Sequence, residues 1–452
     1  MHRKLARLVI YRNIGAESIL YQLADICRRF DSGSYVKDEL RADINTQIHR
    51  LLDLATQYGF DTNLWHNYLA WLLASTENPF SLACEKVGAR DGSVNLLAKQ
   101  DFAVFKELYD YDFSAIERDL NLDSFAIISH YRSLGKADKI YNRSVSEKVR
   151  SLSDAIAAAP DGDAVFAVVT GFYREHGVGL LGMNKAFRLR QNTQLTELEP
   201  ITNTVDVRLC DLIGYENQKQ RLIDNTEAFV AGSRANNLLL YGDSGTGKSS
   251  CIKAILNAYH AAGLRMIELY KHQMQALAAV ISLVKDRNYR FIIFMDDLSF
   301  EESESEYKYL KAVIEGSLEV TPDNVLIYAT SNRRHLIRET WSDRGDMVKD
   351  GDDIHHSDTA EEKISLFNRF GVTIRFAKPN QQEYLEIVKG IARRYPEITL
   401  PEDELVKAAI QWGMWHGNIS GRRAQQFIND LFAAQQMRGT GTASDAKDMS
   451  QP

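Results

Sequence analysis

One glycine-rich segment sharply narrows the possible folds of this chain: Gly242-Asp243-Ser244-Gly245-Thr246-Gly247-Lys248-Ser249. It fits the pattern GxxxxGK[ST], in which the glycines let the backbone turn tightly and direct its N–H groups at bound phosphates. An apolar run, Leu238–Tyr241, leads into the segment, and a helical stretch, Ser250–Tyr259, leaves it. The helix N-terminus adds a favourable partial positive charge. The segment therefore predicts a P-loop that binds a nucleoside phosphate.

Each position of this loop has an expected task. Lys248 is expected to reach the β- and γ-phosphates, and the Ser249 hydroxyl is expected to bind Mg²⁺. The expected phosphate-binding residues are Gly242, Asp243, Ser244, Gly245, Thr246, Gly247, Lys248, Ser249 and Ser250.

Short apolar runs alternate with longer amphipathic stretches after Leu209. The runs are Asn237–Tyr241, Arg265–Leu269, Phe291–Met295, Val325–Ala329 and Val372–Phe376. Strands that alternate with helices in this way predict a parallel sheet flanked by helices. After Pro379 the pattern becomes helical again, and the predicted helices are Gln381–Arg394, Glu402–Trp412 and Ser420–Gln436.

The strand Phe291–Met295 ends in two carboxylates, Asp296 and Asp297. This is the form of a Walker B element, in which the first acid holds Mg²⁺ and the second polarises the attacking water. Asp296 is assigned the first role and Asp297 the second. The second position is usually Glu, and Asp is one methylene shorter, so slow turnover is a second reading of this site.

Charge, cysteines and hydropathy exclude several classes of protein. A formal net charge of −7 argues against a broadly basic protein that coats nucleic acid. The four cysteines are scattered without a CxxC pair, which disfavours structural zinc and favours reduced thiols. No apolar stretch has the length that spans a bilayer, and the N-terminus lacks a signal-like run. A cytoplasmic protein with no membrane partner is expected.

Several ordered segments resemble the motifs of an AAA+ ATPase: Asp211–Tyr215, the Asp296-Asp297 strand and Ala329-Thr330-Ser331-Asn332. More narrowly, the chain resembles an uncharacterised bacterial family of predicted AAA+ ATPases, known only as a domain of unknown function. The stretches that carry this likeness are Met295–Phe300, Tyr328–Leu336, Glu361–Leu366 and Ser420–Arg422. The likeness covers roughly Leu209 to Phe432.

This resemblance implies a fold and a domain organisation. The fold class is an α/β P-loop NTPase of the AAA+ type, with a C-terminal helical lid and a mostly α-helical N-terminal domain. The expected divisions are residues 1–185 for the helical domain, 186–206 for a linker or leading strand, 207–377 for the nucleotide-binding domain, 378–437 for the lid and 438–452 for a disordered tail.

The resemblance also implies roles for further residues. Asn332 would be a sensor of the γ-phosphate or attacking water, on the strand between the P-loop strand and the acidic strand. Arg369 would be an arginine finger that completes the site of a neighbouring subunit in a ring. Arg422 would be the second sensor, on the lid, with Arg423 as its rival for that role. The residues expected to line the adenine pocket are Leu212, Ile213 and Tyr215.

The resulting hypothesis is an ATP- and Mg-dependent ATPase that assembles as a homo-oligomer and remodels or loads a protein or nucleic-acid client. ATP is inferred from the family resemblance, since no guanine-selective Asn-Lys-x-Asp element occurs. A nucleotide-dependent binding switch or loader with slow hydrolysis is the first alternative. A nucleic-acid-binding scaffold is the second, and it rests on Arg333-Arg334 and Arg393-Arg394.

Three other segments bear on metal binding, partner docking and polypeptide threading. The acidic and His-containing stretch Asp346–Asp358 fits no metal-ligand spacing and is expected to be a polar loop. The aromatic stretch Phe105–Phe113 suits either helix packing or a docking surface. No aromatic-apolar-Gly tripeptide follows the second strand, where Leu269-Tyr270-Lys271 is the nearest approach, so polypeptide threading is not supported.

Overall fold

The computed structural model describes residues 1–90, 92–133, 143–190, 196–300, 306–315, 322–332, 368–417 and 419–445. The chain forms two compact units. The first comprises Met1–Ala186 with Pro200–Thr204, and the second comprises Phe187–Glu199 with Val205–Pro452.

The first unit is helical. Its helices are α1 (His2–Leu5), α2 (Ile19–Ser32), α3 (Lys37–Tyr58), α4 (Leu64–Ser75), α5 (Pro79–Val87), α6 (Ser93–Tyr109), α7 (Ser114–Leu120), α8 (Ser124–Ser129), α9 (Arg143–Ala158), α10 (Gly162–His176) and α11 (Gly179–Met183). Polar side chains begin several of them: those of Ser18, Asn63 and Asp161 each accept a backbone N–H of the first turn. The helices enclose one aromatic-rich core, where the Tyr11 and Tyr173 hydroxyls hydrogen-bond at 2.6 Å.

The aromatic stretch Phe105–Phe113 lies largely within this core. Phe105 and Leu108 are fully buried, and Tyr109 and Phe113 are nearly so. The indole N–H of Trp65 donates to the Leu108 carbonyl oxygen at 2.9 Å. Burial on this scale is typical of helix packing, the first of the two readings of this stretch.

The second unit is built on a seven-stranded sheet. Its strands are β1 (Ala186–Leu189), β2 (Leu198–Pro200), β3 (Leu238–Gly242), β4 (Leu264–Glu268), β5 (Arg290–Met295), β6 (Val325–Ser331) and β7 (Val372–Phe376). The order across the sheet is β2-β1-β4-β5-β6-β3-β7. Five neighbouring strands of this sheet, β4, β5, β6, β3 and β7, are joined by parallel pairings. Examples are β3 with β6 (Leu240↔Thr330) and β5 with β6 (Met295↔Ala329).

Helices surround this sheet and continue beyond it. They are α12 (Glu216–Val230), α13 (Lys248–Tyr259), α14 (Leu277–Val284), α15 (Tyr307–Glu315), α16 (Gln381–Ala392), α17 (Glu402–His416) and α18 (Gly421–Asp445). Short 3₁₀ helices cover Ile10–Asn13, Leu209–Asp211, His260–Ala262 and Lys271–Ala276. We call α16–α18 the lid. The lid has its own small core, in which Tyr384, Leu405 and Phe427 are buried.

The predicted fold class is confirmed: the second unit is an α/β P-loop fold of the AAA+ type with a helical lid, and the N-terminal region is mostly helical. Strand β6, which is followed by Asn332, lies between β3 and β5, as the family resemblance implies. Predicted and observed ends of the five parallel strands differ by no more than two residues. Strands β1 and β2 lie in the segment 186–206, and α18 extends to Asp445, past the expected start of the tail.

Some sequence expectations fall outside the described residues. These are Arg333, Arg334 and His335, the stretch Asp346–Asp358, and the family-like stretch Glu361–Leu366. A search of the described helices finds none with the length and hydropathy that a bilayer span needs.

Candidate functional site

The topology of the sheet gathers the chemistry-bearing residues at one edge. Because β3, β5 and β6 are parallel neighbours, their carboxyl ends meet at the same edge of the sheet. The P-loop follows β3, Asp296 and Asp297 follow β5, and Asn332 follows β6. Residues that are far apart in sequence therefore converge beside the first turn of α13.

The P-loop backbone needs glycine where it passes closest to its neighbours. Gly242 has a φ of 134°, and a Cβ there would lie 2.1 Å from the Phe376 carbonyl oxygen of β7. Gly245 has a φ of 78°, and its Cβ would lie 3.0 Å from Ser420 Oγ of the segment that leads into α18. The motif glycines thus let the loop pack against both the sheet and the lid.

Lys248 reaches back across the loop. Its Nζ donates to the carbonyl oxygens of Gly242 at 2.9 Å and Asp243 at 2.7 Å, and to Asn332 Oδ1 at 2.9 Å. Burial lowers the pKa of this amine, while the carboxylates of Asp297, Asp243 and Asp296 oppose that shift. These three partners of the ammonium are oxygens, the kind of partner that phosphate also supplies.

The first acid of the strand end connects directly to the P-loop. Ser249 Oγ donates to Asp296 Oδ1 at 2.5 Å, and Thr330 Oγ1 donates to the same oxygen at 2.6 Å. This brings together the two residues that the sequence assigned to Mg²⁺.

The second acid is held by Asn332. Asn332 Nδ2 donates to Asp297 Oδ1 at 2.6 Å, while its Oδ1 accepts from Lys248. Asp297 has a φ of 51°, a left-handed conformation that is uncommon for a residue other than glycine. The backbone N–H of Asp297 donates to Thr330 Oγ1 at 2.9 Å. The Asn332 amide therefore bridges the P-loop lysine and the second acid.

A cavity of about 680 Å³ opens over these groups. Residues 244–251, which belong to the P-loop and the first turn of α13, line it. Both acids and the lid residues Arg422, Gln425 and Gln426 line it as well. The backbone N–H of Arg422 donates to the Gly245 carbonyl oxygen at 3.0 Å, so the start of α18 rests on the P-loop.

The two arginines that compete for the lid-sensor role differ in position. Arg422 lines the cavity and lies close enough to Lys248 for its charge to lower the pKa of that amine. The Arg423 guanidinium instead donates to Gln426 Oε1 at 2.9 Å, and Arg423 does not line the cavity. The geometry therefore favours Arg422 over Arg423.

Another part of the cavity combines apolar side chains with the charged residues Asp211, Lys219 and Arg394. Leu212, Ile213 and Tyr215 line it together with Ile387 and Ile391 of α16. The Tyr215 hydroxyl donates to the Ala377 carbonyl oxygen at 2.7 Å, and the centroids of the Tyr215 and Phe376 rings lie 5.1 Å apart. Burial raises the pKa of the Tyr215 hydroxyl to about 12. The loop before α12 and the lid helix α16 thus both contribute apolar side chains to the cavity.

The residues present fit a Mg–nucleotide. The cavity volume lies in the range typical of ligand sites. Its polar end offers a lysine, the backbone of the loop and a serine–carboxylate pair, which together match the charges of phosphate and Mg²⁺. The apolar and aromatic side chains described above complete its lining.

Arg369 lies away from this cavity. It precedes β7. Gly371, two residues further along the chain, lies against the side chain of Asn236, a residue that precedes β3. Because β3 and β7 are parallel (Leu238↔Val372, Gly242↔Phe376), Arg369 lies at the edge of the sheet opposite to the P-loop.

The structure adds residues to which the sequence reading gave no role. Thr330 belongs to a family-like stretch that predicts no role for it, yet its hydroxyl bonds Asp296 Oδ1 and the backbone N–H of Asp297. Other additions to the cavity are Asp206, Val207, Asp211, Gly214, Lys219, Cys251, Ile387, Ile391, Arg394, Gly421, Gln425 and Gln426. The apolar spacing of α16 predicts its buried face, but not that this face forms a wall of the cavity.

Comparison with known proteins gives a family and distant structural likenesses. A family model described as "Protein of unknown function (DUF815)" matches residues 182–435, more than half of the 452 residues. No curated protein matches the chain. A solved structure of RuvB from Thermotoga maritima, described as a Holliday junction branch migration motor, is 15% identical with a TM-score of 0.30. A mutant of the same protein is 14% identical with a TM-score of 0.32, and each match covers 49% of this chain and 71% of the RuvB chain. Likeness at this level assigns no function.

Proposed function

This chain belongs to the DUF815 family of proteins of unknown function, and on that premise we propose that it is an ATPase that hydrolyses Mg·ATP at sites completed by a neighbouring copy. The observation that carries the proposal is that one cavity is lined by the P-loop lysine, the Ser249–Asp296 pair and a lid arginine. These are the groups that phosphoryl transfer needs for positioning and charge stabilisation.

The phosphate end of the cavity would hold the reacting groups. Lys248 and the loop N–H groups would bind the β- and γ-phosphates, and Ser249 with Asp296 would hold Mg²⁺. When bound, Mg²⁺ would neutralise charge on the phosphate oxygens. Arg422 would add a cation from the lid side. Leu212, Ile213 and Tyr215, which line the same cavity, would contact the adenine.

Asp297 and Asn332 are the pair that would handle the attacking water. Asn332 Nδ2 donates to Asp297 Oδ1 at 2.6 Å, so the amide would hold the carboxylate beside the position of the attacking water. Asp297 would accept the water's proton as a general base. Asn332 would keep the carboxylate oriented toward the site of attack.

Arg369 would act on the site of a neighbouring copy. The five residues of β3 span about 16 Å at the usual rise per residue, which separates Arg369 from its own P-loop. An arginine on that opposite edge suits a head-to-tail ring, in which each copy presents the edge to the next copy's cavity. Such a finger is worth roughly 10³–10⁵ in rate.

The biological role proposed for this ATPase is to remodel or load a protein or nucleic-acid client in the cytoplasm. The helical first unit would recognise the client, since it has a core of its own and those of its residues that the structure describes do not line the cavity.

The first experiment is phosphate release from Mg·ATP by the full chain across a dilution series. Lys248→Ala should abolish release, whereas Lys253→Ala should retain it, because Lys253 lies on the same helix but does not line the cavity. Release per subunit should rise with protein concentration. No release above the Lys248→Ala background at any concentration would defeat the proposal.

A specific observation favours a second candidate, a nucleotide-dependent binding switch. The candidate base is the shorter acid, Asp297, and its carboxylate is already engaged by Asn332. In such a switch, ATP would order the lid and the assembly, and hydrolysis would be slow. Tight ATP binding without phosphate release in the same dilution series would select this candidate.

The nucleic-acid-binding scaffold gains no support from the described part of the chain. Arg394, one of the arginines behind that alternative, lines the nucleotide cavity and forms an ion pair with Asp211 at 3.0 Å. Absence of salt-sensitive binding at low ionic strength would exclude it.

A further inference from the structure

Thr330 occupies a central place beside the acidic strand end. It lies on β6 with 1% of its surface exposed. The register Met295↔Ala329 sets it alongside Asp296, the first residue after β5. No sequence motif assigned it a task of its own.

Thr330 bonds three consecutive residues of the turn that carries the acids. Its hydroxyl donates to Asp296 Oδ1 at 2.6 Å and accepts the backbone N–H of Asp297 at 2.9 Å. Its carbonyl oxygen accepts the backbone N–H of Leu298 at 2.7 Å. A hydroxyl has one donor and two acceptor sites, so this one serves both acids at once.

These bonds hold a backbone that would otherwise relax. Asp297 has a φ of 51°, and residues other than glycine keep this conformation only where their surroundings fix it. The Thr330 hydroxyl bonds the N–H of this residue, and it also bonds the oxygen of Asp296 that accepts from Ser249 Oγ.

We propose that Thr330 is a positioning residue: its hydroxyl orients the Asp296 carboxylate toward Ser249 and fixes the turn that aims Asp297 at the attacking water. The inference rests on the proposed function of this site. Thr330, an uncharged residue that also lines the cavity, would thereby set the geometry of both the Mg²⁺ ligand and the base.

The test compares Thr330→Val, which keeps the shape but removes the hydroxyl, with Thr330→Ser, which keeps the hydroxyl. Loss of a residue that orients a metal ligand typically costs about 10–100-fold in metal affinity or activity. Thr330→Val should therefore lower kcat by about that factor and raise the Mg²⁺ concentration for half-maximal rate, with a smaller change in KM for ATP. Thr330→Ser should stay within about threefold of the wild type.

Thr226→Val is the matched control. Thr226 is also a fully buried threonine whose hydroxyl is bonded, to Leu222 O at 2.8 Å and to Tyr328 OH at 2.9 Å, but it contacts neither acid. The Thr226→Val variant should have a lower free energy of unfolding, but it should need the same Mg²⁺ concentration as the wild type for half-maximal rate. Equal Mg²⁺ dependence in Thr330→Val and Thr226→Val, or wild-type kinetics in Thr330→Val, would overturn the proposal.

Binding separates this inference from the ATPase proposal. A fluorescent ATP analogue should bind Thr330→Val as it binds the wild type in EDTA, but more weakly than the wild type in Mg²⁺. That contrast would support the role of Thr330 even if the wild type released no phosphate. Equal Mg²⁺ enhancement of binding in both proteins would count against it whatever the rate of hydrolysis.

Discussion

At the scale of single residues, the Asn332 side chain links Lys248 to Asp297, and a bound nucleotide would compete for the lysine. Its Oδ1 accepts from Lys248 and its Nδ2 donates to Asp297. A γ-phosphate that bound Lys248 would compete with the amide oxygen for the ammonium. The Asn332–Asp297 bond can persist meanwhile, because it uses the other end of the amide. This arrangement gives the base a fixed partner before and after phosphate entry.

Lengthening the second acid tests how closely this geometry is matched to Asp. Asp tolerates the left-handed conformation better than Glu does, and the Asp297 carboxylate already meets Asn332 at 2.6 Å. We expect Asp297→Glu to lower kcat by about tenfold to a hundredfold, since a displaced catalytic group is costly. Steady-state phosphate release would measure it, and a rise in kcat would favour the switch.

Asp297→Asn provides the comparison for that variant. It keeps the size and the backbone preference of Asp but removes the base, so kcat should fall by about 10²–10⁴-fold while nucleotide affinity changes little. Equal rates for Asp297→Asn and the wild type would remove Asp297 from the list of bases.

At the scale of elements, the P-loop is held between the sheet and the lid. Asp243 Oδ2 accepts the backbone N–H of Lys378, which lies where β7 leads into α16. The Gly245 carbonyl oxygen accepts the N–H of Arg422 at the start of α18. A shift of the loop on phosphate binding would therefore move both the segment that leads into α16 and the start of α18.

The two neighbouring arginines of α18 form a natural pair for testing the lid. A hydrogen bond to a charged group is worth about 1.5–3 kcal/mol, so Arg422→Ala should weaken ATP binding or turnover by roughly 10–100-fold. Arg423→Ala should change either quantity by less than about threefold, because its guanidinium is bonded to Gln426 instead. Titration with a fluorescent ATP analogue and phosphate release would measure both. The reverse order of effects would assign the sensor role to Arg423.

The same elements show what could be predicted from the sequence and what could not. The P-loop is contiguous and the apolar strands are short and regular, so their residues and the fold class follow from local pattern. The tasks of Thr330 and Ile387 depend on which strand or helix lies beside which, and no local pattern contains that information. Strands β1 and β2 are short, at four and three residues, and gave no clear alternation.

At the scale of the whole molecule, the proposed role of Arg369 in trans would leave the candidate active site incomplete in one copy. The residues that line the cavity lie in the second unit, and Arg369 lies on the opposite edge of the same sheet. If Arg369 works in trans, two inactive variants with different defects should repair each other. This follows because one copy supplies the intact P-loop and the next supplies the intact arginine.

Mixing Lys248→Ala with Arg369→Ala is the experiment that uses this geometry. Each variant alone should be inactive or nearly so, and the 1:1 mixture should regain activity, because in random assembly about one site in four pairs an intact Lys248 with an intact Arg369. Phosphate release across dilution would measure it, and the gain should vanish at concentrations where the copies dissociate. If Arg369 acted within its own copy, every site in the mixture would lack one of the two groups and no activity would return. If Arg369 took no part, Arg369→Ala alone would be fully active, so the three possibilities give three different results.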